Sequence, residues 1–121
     1  MLFRSTIDEG FVLYDPDDRL VYCNETYRQI YPIAAPLMEP GRTFEEIIRY
    51  GAERGEYPAA VGRVEEWVAE RLAQHRSGVS SLVQRLASGR VIRIVERRTP
   101  EGYIVGFCID KIGRASCRER V

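Results

Sequence analysis

Two short apolar runs, Phe11 to Tyr14 and Leu20 to Cys23, flank the acidic tetrapeptide Asp15-Pro16-Asp17-Asp18 near the start of the chain. The pattern predicts a β-hairpin, because Pro presets φ for a turn and Asp side chains accept hydrogen bonds from nearby backbone NH groups. Strict alternation places Val12, Tyr14, Val21 and Cys23 on one face and Phe11, Leu13, Leu20 and Tyr22 on the other. Both sets are apolar, so both faces of the hairpin are expected to be covered. Ahead of it, Leu2, Phe3 and Ile7 recur at near-helical spacing, which predicts the end of a short helix within Met1 to Glu9.

Asn24 follows the second strand and is a good N-cap for a helix carrying Tyr27, Ile30 and Tyr31 on one side, which Pro32 stops. An irregular connection with Pro36 and Pro40 leads to Thr43-Phe44-Glu45-Glu46, a capping box. The helix it opens carries Phe44, Ile47, Ile48 and Gly51 on one stripe, with Gly55 as its stop. A further helix is predicted from about Arg63 to His75, with Val64, Trp67, Val68 and Leu72 on one side, closed by Ser77-Gly78. Three strands follow, Ser80 to Leu86, Val91 to Arg97 and Tyr103 to Ile109, separated by turns at Ser88-Gly89 and at Thr99-Pro100-Glu101-Gly102. The last strand is almost free of polar residues, which predicts a central strand covered on both faces. Two strands, then helices, then three strands describe an α+β domain built on an antiparallel sheet.

The chain has 121 residues, 45% of them hydrophobic and 30% charged, which suits one domain with a single core. Its formal charge is zero and its 18 basic residues are scattered, so nothing forms a nucleic-acid footprint. No apolar run approaches the ~20 residues of a membrane span and no signal-peptide pattern is present, so a cytoplasmic location without membrane insertion is expected. Cys23, Cys108 and Cys117 lie at neither CxxC nor metal-ligand spacing, and their odd number argues against a disulfide framework. The run Ile112 to Val121 matches, codon by codon, the translation of a common short-read sequencing adapter, whose first bases also fit the codon of Lys111. Residues 111 to 121 are therefore read as a non-native tail, residues 10 to 110 as the domain and residues 1 to 9 as a flanking segment. Without the tail, 14 of the 18 basic and 17 of the 18 acidic residues remain, and the domain is mildly acidic.

The segments Glu9 to Pro32, Pro40 to Tyr57 and Ser88 to Asp110 resemble the PAS (Per-Arnt-Sim) sensor domains found in bacterial sensor histidine kinases and diguanylate cyclases. The resemblance implies a five-stranded antiparallel sheet of order 2-1-5-4-3, with helices inserted between strands 2 and 3. It implies a non-catalytic sensory module in a signal-transduction protein such as a two-component system, acting on a covalently linked output domain absent from this chain. It also implies a homodimer. In that family the last strand ends in an Asp-Ile-Thr-like motif that passes the signal onward; Asp110 matches the Asp, while Lys111 replaces the Ile. By the same resemblance Val12, Tyr14, Val21, Cys23, Tyr27, Ile47, Ile92 and Ile94 line a ligand pocket. Phe11, Leu13 and Tyr22 then form the outer surface against a flanking helix or second subunit.

Candidates for chemistry are few, and neither a catalytic nor a metal-binding set is expected. His75 lies on the apolar side of its helix, so haem ligation by analogy with haem-binding PAS domains is conceivable, but a packed helix-terminal histidine is preferred. Cys23 does not match the reactive-cysteine motif of the flavin-binding members and reads as a core thiol, so no cofactor is expected. Asp15, Asp17 and Asp18 lack the spacing of a calcium loop and read as a solvated turn screened by Arg19. Arg97 and Arg98 beside Thr99 read as a solvated strand end, and Trp67 as core. The competing reading is a small pocket enzyme in which Glu96, alternating with Ile92 and Ile94, works with Tyr14 and His75. It requires those three side chains within hydrogen-bond reach of one another in an open pocket.

Overall fold

A computed structural model describes residues 9 to 110. In it β1 (Glu9–Tyr14) and β2 (Leu20–Cys23) form the hairpin, and α1 (Glu25–Ile30), α2 (Phe44–Glu53) and α3 (Val64–Arg76) follow. β3 (Val79–Arg85), β4 (Val91–Arg98) and β5 (Ile104–Asp110) complete one antiparallel sheet of order β2-β1-β5-β4-β3. The fold class and strand order agree with the sequence reading. The helix expected within residues 1 to 9 falls outside the described residues, except that Glu9 already begins β1, and the tail from residue 111 is likewise not described.

Local chemistry fixes the joints. The Asn24 side-chain oxygen accepts from the Tyr27 NH at 2.9 Å as an N-cap and from the Phe11 NH at 3.0 Å, while its amide donates to the Glu9 carbonyl at 3.1 Å. One residue thus caps α1 and ties it to β1. The Thr43 hydroxyl accepts from the Glu46 NH and the Glu46 carboxylate from the Thr43 NH, so both halves of the capping box form at the start of α2. Each satisfies a donor that the first helical turn cannot pair internally.

The helices cover one face of the sheet. Val12 and Tyr14 from β1, Ile104 and Cys108 from β5 and Ile92 and Ile94 from β4 are buried on it, against Tyr27, Ile30, Phe44, Ile47, Val68 and Leu72. Burial of a single such aliphatic side chain stabilises by about 1.5–3 kcal/mol relative to exposure. Gly106 lies between Val12 and Glu96 in the register, and a Cβ there would come within 2.9 Å of Val12 Cγ1. The absent side chain lets Val12 lean across β5.

Two expectations for the strands change. The β1–β2 register shifts between Leu13 and Tyr14, so Tyr14 pairs with Leu20 and Val12 with Cys23. The irregularity breaks the alternation: Leu20 turns inward at 3% exposure, while Val21, expected inward, is 41% exposed beside Tyr22 at 54%. The outer face of the sheet is also more open than the apolar pattern implied. Phe107 remains 37% exposed, and its ring meets Phe11 at 5.5 Å between centroids, with Tyr22 beyond it at 6.0 Å from Phe11.

Candidate functional site

Two features of the helix-covered face hold polar chemistry: a closed ionic cluster at the hairpin end and a cleft beside the edge strand β3. The cluster is centred on His75, which is 0% exposed. Its Nε2 lies 2.7 Å from the Asp18 carboxylate and its Nδ1 3.1 Å from that of Glu96. Arg71, one helical turn before His75 on α3, reaches both oxygens of Glu96 at 2.9 and 3.4 Å, and the Ser80 hydroxyl donates to Glu96 at 2.9 Å. The Phe44 ring stacks on the imidazole at 3.6 Å and 4°, and Tyr14 meets it edge-on.

The cluster's electrostatics follow from these contacts. Burial alone would raise the Glu96 pKa, but hydrogen bonds and charge from His75 and Arg71 outweigh it and hold the carboxyl at about 2. Burial likewise disfavours a charged imidazole, yet the bonds to Asp18 and Glu96 raise the His75 pKa above its ordinary value. The Tyr14 hydroxyl approaches the Tyr27 phenol but lacks hydrogen-bond geometry to it, leaving a buried polar atom without a partner.

The competing enzymatic reading is met only in part. Glu96 and His75 are hydrogen-bonded and Tyr14 packs against His75, but all three are buried and none lines the cleft. A carboxylate held at about 2 is a poor proton acceptor near neutrality. Both ring nitrogens of His75 are engaged by carboxylates.

The cleft, of about 300 Å³, opens between α3, the short 3-10 turn Pro58–Ala60 and β3. Trp67 stacks on Tyr57 at 4.3 Å and 21° along one side, and Leu82 and Val83 form the other. Gln84, almost wholly buried, accepts from the Tyr31 hydroxyl at 3.2 Å, and that hydroxyl also meets the Cys108 sulfur at 3.6 Å. Burial pushes the Cys108 thiol up to about 12, so it remains a neutral core thiol near pH 7.

The remaining sequence candidates take simpler places. Val12, Tyr14, Cys23, Tyr27, Ile47, Ile92 and Ile94 are buried core and Val21 is on the surface, so none of the eight pocket candidates lines the cleft. The acidic turn is only partly solvated: Asp15 accepts from the Asp17 and Arg19 NH groups, but Asp18 points inward to His75. Arg19 donates to the Gly41 carbonyl at 2.7 Å instead of screening the aspartates. Arg98 donates to the Arg76 carbonyl, tying β4 to the end of α3. Asp110 pairs with Arg90 at 3.3 Å.

Sequence reasoning passed over Arg71 and Glu56. Arg71 sits between Val68 and Leu72 on the buried stripe and four residues before His75, a spacing that could have paired both with an inward Glu96. Glu56 is buried after the end of α2, and its carboxylate accepts from the Ile33 and Ala34 NH groups at 3.0 Å each. Burial raises its pKa, opposed by those two bonds. No local pattern marks it, because its partners lie more than twenty residues away.

No group of His, Cys, Asp and Glu among the described residues could hold a metal ion, and none of their helices is long and apolar enough to cross a membrane. Among curated proteins, the chain is 31% identical over 108 residues to the "Non-motile and phage-resistance protein" of Caulobacter vibrioides. That match covers 88% of this chain but only 11% of the relative's length. The PAS domain of Bordetella pertussis BvgS superposes with a TM-score of 0.54 at 17% identity, covering 99% of this chain and 94% of that one. The phage VqmA-DPO complex gives 0.56 at 17% identity, over 98% of this chain and 57% of that one. Both likenesses concern the fold. A family model described as "PAS fold" matches residues 5 to 110, nearly the whole length, and the chain belongs to that family.

Proposed function

We propose that the chain is the sensory and interaction module of a bacterial signal-transduction protein, non-catalytic itself. It regulates an output domain of the histidine-kinase or diguanylate-cyclase kind linked beyond Asp110. The observation that carries this reading is a register line across the sheet: Gln84 pairs with Ile92, and Ile92 with Asp110. Gln84 lines the cleft and Asp110 ends the last strand, so a molecule that displaces β3 pulls on the exit of the domain through two ladder pairs. Such a shift requires different affinities for two packings of helices and sheet. The share of the Caulobacter relative covered fits a module within a longer protein.

The apolar outer face around Phe11, Leu13, Tyr22 and Phe107 is the self-association surface in this reading, since apolar patches of this kind mark interfaces. Native mass spectrometry of the purified protein tests both parts. A dimer carrying an additional small-molecule mass is expected, and Phe107→Glu should abolish the dimer while keeping that mass. A bare monomer would contradict the reading.

A further inference from the structure

His75 joins three elements through one ring. Asp18 comes from the β1–β2 turn, Glu96 from β4, and the ring itself from the last turn of α3. The charged and titratable groups facing it are Asp18, Glu96, Arg71 and the Tyr14 phenol, with Phe44 stacked on its face. With His75 protonated, two cations balance two carboxylates. With it neutral, a net negative charge is left at a site buried apart from the part-exposed Asp18 side chain.

Geometry decides which state the cluster is built for. A neutral imidazole has one NH and one lone pair, whereas His⁺ donates from both nitrogens. Here both nitrogens face carboxylate oxygens, at 2.7 and 3.1 Å, so the neutral ring would set a lone pair against one of them. Glu96 is also held by Arg71 and Ser80, while the Asp18 side chain has no other hydrogen-bond partner among the described residues and is 25% exposed. A neutral ring therefore keeps its remaining proton on Nδ1, donated to Glu96, and loses Asp18, which can hydrate.

The turn has a second reason to move. Asp18 has φ of 65°, making it the sole non-glycine with positive φ among the described residues. That left-handed conformation costs roughly 1 kcal/mol or more for an L-residue, and the contact with His75 helps to hold it. The same turn seats α2: the Asp18 carbonyl accepts from the Phe44 NH at 3.0 Å, and Arg19 bridges to Thr43.

We propose that the His75 imidazolium is a proton-operated latch: loss of its proton breaks the Asp18 bridge, frees the β1–β2 turn from α3 and loosens the seat of α2. The module would thereby read proton concentration, an input separate from the cleft. The raised pKa of His75 agrees in sign. The stability it contributes is fully present below the ordinary histidine value of about 6.5 and is lost as pH rises through the higher folded value. Only the signalling use of the latch rests on the sensory reading; a domain that regulates nothing would still titrate in this way, and a flat titration would leave that reading standing.

His75 is the sole histidine of the chain, so its ring resonances are unambiguous. NMR of the full chain from about pH 5.5 to about 9.5 spans the ordinary range and the raised one. The expected result is a His75 midpoint above about 6.5, with the Asp18, Arg19 and Phe44 amides shifting at the same midpoint. Asn adopts left-handed φ readily, so Asp18→Asn should keep the turn folded while lowering the proton affinity of His75 about ten-fold or more. A ring that is neutral throughout, turn amides that stay flat while it titrates, or an unchanged midpoint in Asp18→Asn would each overturn the proposal.

Discussion

Glu96→Leu is expected to destabilise the domain by about 3–5 kcal/mol, the cost of leaving a buried charge without its partner. The Arg71 guanidinium, 6% exposed, would lose both oxygens that it binds, and His75 would retain only Asp18. Against a total stability of about 5–15 kcal/mol for a domain, such a loss leaves little folded protein in reserve. Urea unfolding near pH 7 reads it directly. Adding Arg71→Met should recover most of the loss, because removing both partners leaves an apolar pair of similar volume. A single-variant cost below about 1 kcal/mol would place the pair in the class of exposed ion pairs and contradict the described burial. Mild acid, down to about pH 4.3, should not mimic the substitution. A depressed carboxylate contributes its full stability above its ordinary value of about 4.3, and that contribution declines below it and is gone once pH has fallen through the folded value. For Glu96 that value is about 2.

Gly10→Val should be nearly as damaging, for a steric reason. Gly10 pairs with Cys108 in the middle of the sheet, and a Cβ there would lie 2.9 Å from the Tyr27 Cα and 3.1 Å from Ile30 Cδ1. The first of these is a backbone atom of α1, which cannot slide away without breaking the Asn24 bonds to Glu9, Phe11 and Tyr27. Overpacking costs about 1–3 kcal/mol and occasionally more, and the three side-chain carbons of Val against a pinned helix put this site at about 3. Gly106→Ala is the informative comparison, because its Cβ would meet Val12 Cγ1, a side-chain atom that can rotate away. Thermal unfolding should rank Gly10→Val well below Gly106→Ala; equal losses would mean that α1 is not fixed by Asn24.

Much of this frame was legible in the chain because its signals are local. Asn24, the Thr43–Glu46 box and the alternation of Ile92, Ile94 and Glu96 each act within a few residues, and the helices and strands followed from them, whereas the strand order came from the family resemblance. Where the reading failed, the cause was equally physical. All four residues of Leu20 to Cys23 are apolar, so their alternation carried no information about a bulge, and Leu20 and Val21 exchanged faces. The ionic cluster joins Asp18 to His75 across 57 positions and Arg71 to Glu96 across 25, distances that no local period spans. The cleft depends on Trp67 and Tyr57 meeting β3, which becomes visible only once α3 is docked.

The proposed coupling of the sheet to an output domain is tested most directly in a protein that carries this module fused to one, by measuring output activity with and without the small molecule expected to co-purify, in the wild type and in Asp110→Ala. Loss of the partly exposed ion pair between Asp110 and Arg90 costs by itself no more than about 1 kcal/mol. The expected result is a folded domain, with its ligand still bound, whose output no longer responds. An output response identical to that of the wild type would contradict a signal path through the end of β5.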